Sequence, residues 1–152
     1  YDNVVPDIHG EITPPADSGI KDLGMDQFQF MAEGTYEFTV MLDEPYSDIS
    51  GSLTLICDIG PPGITILYPD RGMTFDGKPS LTVTGTVTDL GSGVRWVKVN
   101  GIEVDLDEKG AFSFVMQSVH GLNPILVEAL DNVGNKSKLT RGYYYSTKYI
   151  HF

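Results

Sequence analysis

Hydrophobic and polar residues alternate along much of the second half of the chain, and this alternation predicts β-strands. Leu81, Val83 and Val87 alternate with threonine, and Phe112 and Phe114 flank a serine. Because successive side chains of a strand point to opposite faces, a period of two predicts strands with one buried face. No segment shows a convincing period of 3.6 residues, so the pattern predicts an all-β fold.

Turn chemistry separates these runs. Two apolar runs, 97–99 and 102–104, flank Asn100-Gly101. This dipeptide is the strongest short-range signal for a hairpin, because a type I′ turn needs positive φ at both central residues. A further turn is predicted at 131–135, where Asp, Asn and Gly end a run of alternating residues.

The order of these motifs resembles the bacterial immunoglobulin-like domains, in particular the accessory type found beside catalytic domains in glucodextranase-like enzymes. The residues that carry the resemblance are Val-Thr-Gly-Thr-Val-Thr-Asp (83–89), Val-Lys-Val-Asn-Gly (97–101), Gly-Ala-Phe-Ser (110–113), Gly-Leu-Asn (121–123) and Ala-Leu-Asp-Asn-Val-Gly-Asn (129–135). It covers roughly residues 62–145 and implies an antiparallel β-sandwich of the kind found in tandem repeats. Such domains serve as spacers, stalks, adhesin repeats and accessory modules, so the fold alone does not assign the function.

A boundary is predicted at Pro61 and Pro62, because two prolines remove backbone donors and stop a strand. The charge changes at the same place. Residues 1–60 hold 12 of the 21 acidic residues and only one basic residue, Lys21, whereas residues 61–152 hold equal numbers of both. We therefore predict an acidic partial β unit at 1–60 and an immunoglobulin-like sandwich with an aromatic C-terminal tail at 61–152. Since so acidic a chain repels phosphate, nucleic acid is not an expected partner.

The first part is predicted to be incomplete. Alternation predicts three strands within residues 28–59, while residues 1–27 are interpreted as extended chain and loop. Three strands cannot close a two-sheet sandwich, so we expect this part to require cover from another chain, from flanking sequence or from the second domain.

Several other features bound the class of protein. No apolar run approaches the roughly 18 residues that span a bilayer, and no signal-peptide pattern is present, so membrane insertion is not expected. The chain starts at Tyr1 without an initiator methionine, which predicts a processed product or an excised fragment. Cys57 is the only cysteine, so no disulfide can form within the chain. We interpret it as a buried thiol, with a reactive thiol as the alternative.

Candidate chemistry is sparse, and the chain is predicted not to be an enzyme. The histidines lack the spacing of metal ligands, and no nucleophile-elbow motif occurs. No catalytic residue and no cofactor are therefore predicted. Asp89, Asp131 and Asn135 are weak candidates for calcium ligands. Their alternative role, and the one we favour, is to bond their own backbone at turns.

Aromatic residues are the candidate contacts. Tyr143, Tyr145, Tyr149 and Phe152 lie in a final aromatic run, which is either an interface or a last strand plus tail. Trp96 falls on the face opposite Val97 and Val99, where it is either a packed aromatic residue or a platform for sugar stacking.

The sequence thus predicts a non-catalytic structural or adhesive module of a bacterial extracellular or cell-surface protein. The expected partners are neighbouring domains or subunits of the same assembly. One alternative is a subunit of an extracellular filament, assembled by strand addition through residues 1–27 or the aromatic tail. Another is an accessory domain of a carbohydrate-active enzyme, for which carbohydrate would be a partner.

Overall fold

A computed structural model describes residues 10–13, 19–24, 27–43 and 46–148 of the 152-residue chain. All the regular elements in this part are β-strands. The chain divides into two compact units, Tyr1–Ile59 and Gly60–Phe152, which we call the first and the second unit. No helix among the described residues is long and apolar enough to cross a membrane.

The described residues of the first unit form five strands in two small sheets. They are β1 (Gly10–Thr13), β2 (Lys21–Gly24), β3 (Gln27–Gln29), β4 (Gly34–Leu42) and β5 (Ser50–Cys57). One sheet has the order β1-β4-β5, and the other is the hairpin β2-β3. The interpretation of residues 1–27 as extended chain and loop was therefore wrong for β1 and β2. Alternation could not reveal them, because each is only four residues long and is held by its antiparallel partner.

Aromatic rings form the core of the first unit. Phe28 lies 5.3 Å from Phe38 between ring centroids, and Phe30 lies 4.9 Å from Tyr36. Among the residues of this unit whose burial is described, Tyr36 and Phe38 are the buried hydrophobic ones, with 7% and 1% of their surface exposed. Phe28 on β3 and Phe30, just after it, thus cover the inner face of β4 with their rings.

The part of the second unit that the structure describes, residues 60–148, forms eight strands. They are β6 (Gly63–Tyr68), β7 (Thr74–Phe75), β8 (Ser80–Thr88), β9 (Val94–Val99), β10 (Ile102–Val104), β11 (Ala111–Gln117), β12 (Gly121–Asp131) and β13 (Lys136–Tyr145). One sheet has the order β10-β9-β12-β13-β7 and the other the order β11-β8-β6. Neighbouring strands are antiparallel except β13 and β7. The predicted all-β sandwich is confirmed.

The core of the second unit contains Leu81, Val83, Val87 and Phe112, as their alternation predicted. It consists of Ile66, Leu81, Val83, Val87, Val97, Val99, Phe112, Ile125, Val127, Ala129, Tyr143 and Tyr145. Phe114, on the edge strand β11, is only partly buried and packs against this cluster. Both sheets contribute, so the core fills the space between them.

Gly85 lets one large core ring lie close to a strand. Phe112 pairs with Gly85 across β11 and β8. A Cβ atom on Gly85 would lie 2.5 Å from Cζ of Phe112 and closer still to the carbonyl oxygen of Thr65. The Val-Thr-Gly-Thr-Val segment of β8 therefore needs glycine at its centre for packing, not for a turn.

The predicted Asn100-Gly101 hairpin is present. Both residues have positive φ, 50° and 82°, and Val99 pairs with Ile102 directly beside them. The Asn100 side chain accepts a hydrogen bond from the Leu126 amide and donates one to the carbonyl of Pro124. The turn thereby continues the bonding of β9 to β12 beyond the last strand residue.

Candidate functional site

Asp131 organises the turn between β12 and β13. Its Oδ1 accepts hydrogen bonds from the backbone amides of Val133, Gly134 and Asn135 at 2.6–3.0 Å. Its Oδ2 accepts one from the Asn135 side chain at 2.8 Å. Asn135 Nδ2 also donates to the carbonyl of Gly60 at 3.4 Å. One fully buried carboxylate thus satisfies three backbone donors and orders the turn.

These bonds also set the charge of Asp131. Burial raises the pKa of its carboxyl group, since it disfavours the charged form. The hydrogen bonds from the Asn135 side chain and from the amides of Asn135, Gly134 and Val133 outweigh this effect and hold the pKa below its ordinary value. Asp131 is therefore ionised at neutral pH.

Asp89 and Asn132 fix the neighbouring loop in the same way. Asp89 Oδ1 accepts bonds from the amides of Gly91 and Gly93 at 3.1 and 2.7 Å. The Asn132 side chain donates to the carbonyls of Ser92 and Gly93. The loop after β8 and the turn after β12 are thus joined by side-chain bonds to backbone.

The calcium candidates do converge in part. Asp89 and Asp131 each present a carboxylate oxygen, and these atoms lie within 4.8 Å of one another. Both carboxylates already accept backbone N–H groups, while a calcium ion takes six to eight oxygen ligands. Asn135 turns its amide nitrogen toward Asp131, so in this orientation its Nδ2 is a donor and not a ligand. The turn-forming bonds account for these three residues, and calcium binding stays the less favoured hypothesis.

Trp96 lies on the outer face of the five-stranded sheet, as its parity predicted. The ring is partly buried, it lies opposite Leu130 in register, and Lys98 Nζ is 4.6 Å from its centroid. A cavity of about 180 Å³ lies beside it, lined by the polar residues Arg95, Glu103 and Asp105 among others. The Lys98 ammonium group makes a cation–π contact with the Trp96 ring and stabilises its position.

The aromatic run at the end of β13 is mainly core. Tyr143 and Tyr145 have 0% and 5% of their surface exposed, so their prediction as interaction residues was wrong. The Tyr143 hydroxyl shares a hydrogen bond of 2.6 Å with Ser118 Oγ, and the Tyr145 hydroxyl donates to the carbonyl of Gly77. Tyr144, which parity places on the opposite face, is 45% exposed. Tyr149 and Phe152 lie outside the described residues.

A buried asparagine that orders its neighbouring loop through side-chain hydrogen bonds was not predicted from the sequence. Asn123, on β12, is 2% exposed. Its Oδ1 accepts from the Val119 amide, and its Nδ2 donates to the carbonyls of Val119 and Gly121, all at 2.8–2.9 Å. Its position after Gly121 in the Gly-Leu-Asn segment was the available signal, since asparagine favours such local bonds.

The exposed face of β5 is the feature of the first unit that sequence reasoning only partly anticipated. Leu53 and Leu55 pair with Phe38 and Tyr36, so they share the inner face with these buried rings. Yet 46% of Leu53 and 37% of Leu55 is exposed. The aromatic cover of the inner face therefore stops at β4 and leaves β5 open.

Comparison with known proteins supports the resemblance read from the sequence. The family model described as glucodextranase, domain B, matches residues 62–144, which is more than half of the chain. A comparison with curated proteins finds no match.

The solved structures that match this chain have low sequence identity to it. Fibronectin(III)-like modules of Clostridium thermocellum CbhA are 18% identical with a TM-score of 0.47, over 80% of this chain and 67% of theirs. Extracellular cadherin domains 3–6 of protocadherin gamma B2 are 13% identical with a TM-score of 0.47, over 74% of this chain and 31% of theirs. Domains 4 and 5 of the S-layer protein SbsC are 14% identical with a TM-score of 0.35, over 92% of this chain and 70% of theirs.

Proposed function

The chain belongs to the glucodextranase domain B family, and we propose that it is a non-catalytic structural and adhesive module of a bacterial extracellular or cell-surface protein. In this role the second unit is a rigid support, and the first unit makes contact with a neighbouring domain or subunit. The family membership supports an immunoglobulin-like module. The adhesive role is supported by the exposed Leu53 and Leu55 of β5.

The observation that carries the proposal is how the second unit uses its polar loop residues. Asp89, Asp107, Asn123, Asn132 and Asp131 all direct their side chains to backbone groups of their own or adjoining loops. A carboxylate that accepts several short N–H bonds is committed to ordering the chain. These bonds favour a module whose loops are held rigid over one that repositions polar groups on a substrate.

The proposal is tested by assaying the purified chain for turnover. Soluble and insoluble α-glucans, ester substrates and peptides serve as the panel, and release of reducing sugar, acid or amine is the readout. We expect no turnover above a heat-denatured control. Hydrolysis of any of these substrates that disappears on denaturation would contradict the proposal.

A second candidate is an accessory domain of a carbohydrate-active enzyme, and the name of the matched family favours it. Trp96 and the polar groups beside it are the residues that suit a sugar, since aromatic rings stack on sugar faces and carboxylates accept from hydroxyls. Retention of the chain on insoluble α-glucan would support this function. Trp96→Ala should then lose retention, while Tyr144→Ala, which removes an exposed ring elsewhere on the unit, should keep it.

A further inference from the structure

The strand β5 forms one edge of the three-stranded sheet of the first unit. Among the described residues, no strand pairs with its second side. Proteins ordinarily protect such edges with charged side chains, prolines or bulges. The sequence of β5, Ser-Gly-Ser-Leu-Thr-Leu-Ile-Cys, contains no charge and no proline, and its pairing with β4 shows no shift of register. This edge is therefore open to pairing.

The inner face of the same strand lacks cover. Leu53 and Leu55 continue the apolar row begun by Phe38 and Tyr36 on β4, yet both are exposed. A strand added beside β5 would place its own inward side chains next to these two leucines. Main-chain hydrogen bonds would supply affinity, and the apolar row would fix the register.

The described charged residues of β4 and of the connection between β4 and β5 are all acidic. Glu37 lies opposite Thr54 on the outer face of the sheet, and it is exposed. Asp43 and Asp48, on the connection between β4 and β5, are exposed as well. Lys21 is the only basic residue of residues 1–60, against 12 acidic ones. The field at the β5 edge therefore attracts a cationic segment.

We propose that the free edge of β5 binds a β-strand of another polypeptide in which apolar residues alternate with lysine or arginine. The apolar residues lie beside Leu53 and Leu55 on the inner face. The basic residues lie on the outer face, toward Glu37, which is about two strand spacings, roughly 10 Å, away. The inference rests on the proposed role as an interaction module and adds the site and the chemistry of its partner.

A second copy of this chain does not fit this edge as well. It would bring another strongly acidic first unit against the acids already there, and like charges oppose association. An anionic polymer is disfavoured for the same reason. The partner that fits is cationic and able to form a strand.

The test uses the intact chain and three synthetic ten-residue peptides. The first alternates lysine with valine, the second alternates glutamate with valine, and the third contains the lysines and valines in two blocks. Binding is followed by fluorescence anisotropy of labelled peptide at about 50 mM and about 500 mM salt. We expect saturable binding of the first peptide, weakened by salt, and binding at least about tenfold weaker for the other two.

Two variants locate the binding face. Leu53→Thr combined with Leu55→Thr removes the apolar row but keeps residues that favour strands. Ile56→Thr removes a similar apolar group from the opposite face of the same strand and is the matched control. We expect the double variant to bind the alternating lysine peptide about tenfold more weakly and the control to bind it within about twofold of the original chain. Far-UV circular dichroism checks that both variants fold, and Leu55→Thr alone replaces the double variant if it does not.

Equal binding of the blocked and alternating peptides would overturn the inference, because attraction would then depend on charge and not on strand pairing. Unchanged binding by the double variant would overturn it as well. Sedimentation showing a dimer that the double variant abolishes would identify a second copy as the occupant and contradict the cationic partner. The assays for turnover read out the proposed function separately, so a failure here leaves that proposal standing.

Discussion

Asp131 illustrates how a single side chain can determine a local structure. Its oxygens accept four hydrogen bonds from the turn that follows it, and its side chain is fully buried. Because buried polar groups destabilise a fold unless they are bonded, the turn and the carboxylate depend on each other. Loss of the charge on Asp131 should therefore destabilise the turn between β12 and β13 and, with it, the second unit.

Asp131→Asn should lower the melting temperature at neutral pH. Asparagine has one side-chain oxygen and one NH₂ group in place of the two carboxylate oxygens. Its NH₂ group would either face the NH₂ group of the Asn135 side chain or replace the oxygen that accepts the backbone N–H groups. The hydrogen bonds lower the folded-state pKa of Asp131, so its contribution is present above the unfolded pKa of about 3.9 and is lost as the pH falls through the folded pKa. The difference in melting temperature between variant and original chain should thus narrow in acid.

Asp107→Asn is the matched control for this prediction. Asp107 Oδ1 accepts from the amides of Lys109 and Ala111, both at 2.8 Å, but its side chain is exposed. We expect a smaller decrease in melting temperature than for Asp131→Asn. A difference between Asp131→Asn and the original chain that stays constant down to pH 2 would contradict the role given to the ionised carboxylate.

Two phenylalanines of β11 should differ in their contribution to stability. Phe112 is 3% exposed and lies over Gly85, so Phe112→Ala should lower the free energy of unfolding by about 3–5 kcal/mol. Phe114 packs against the rim of the core and is partly exposed, so Phe114→Ala should cost about 1–2 kcal/mol. Urea unfolding of both variants measures this, and equal losses would show that the two rings are buried alike.

At the scale of elements, the register of the paired strands determines which side chains of the second unit lie opposite each other and which face the core. The outer face of the five-stranded sheet carries a row of residues of alternating sign across four strands, Glu103, Lys98, Glu128 and Lys138. Opposite charges at paired positions favour this register over a slipped one by a few tenths to about 1 kcal/mol each. A shift by one residue would also turn the valines of β9 away from the core.

The hairpin at Asn100 and Gly101 offers a test at this scale. Asn100→Ala loses two side-chain bonds to β12 and must hold a left-handed conformation, so it should cost about 1–3 kcal/mol. Gly101→Ala meets no atom within 4 Å, so it should cost only the conformational penalty of about 1 kcal/mol. Thermal unfolding of the two variants compares them, and a larger effect for Gly101→Ala would contradict the role given to the Asn100 side chain.

The same elements show how far the sequence could predict the fold. The strands around Val97 and Phe112 were predictable, because alternation and turn residues are local signals. The side of the sheet on which Tyr143 and Tyr145 lie was not predictable, because three consecutive tyrosines do not show which of them face the core. The strands β1 and β2 depend on partners elsewhere in the chain, and no local pattern marks them.

The candidate site was predictable to a similar degree. The turn roles of Asp131 and Asn135 follow from residue type and spacing alone. The convergence of Asp89 with Asp131 depends on two loops that lie 42 positions apart in sequence and meet only in the folded sandwich. The exposure of Leu53 and Leu55 depends on where the hairpin β2-β3 ends, which is a tertiary property.

At the scale of the whole molecule, calcium should have little effect on stability. The carboxylates of Asp89 and Asp131 already bond to the backbone of their loops, so the second unit does not need an ion to order them. The melting temperature of the intact chain should be nearly equal in millimolar calcium and in chelator. An increase of many degrees in calcium would show a site that binds the folded state, through the linkage between binding and stability.

The central claim is that the second unit is a rigid sandwich and that the β5 edge of the first unit is open to a partner strand. Amide hydrogen exchange of the intact chain tests this claim most directly. The claim predicts that the amides of β8 and β12 exchange most slowly, through global unfolding. It also predicts that alternate amides of β5, those directed away from β4, exchange as fast as loop amides until the alternating lysine peptide is added. Protection of all β5 amides at the level of β4 in the chain alone would show that the edge is already covered and would contradict the account.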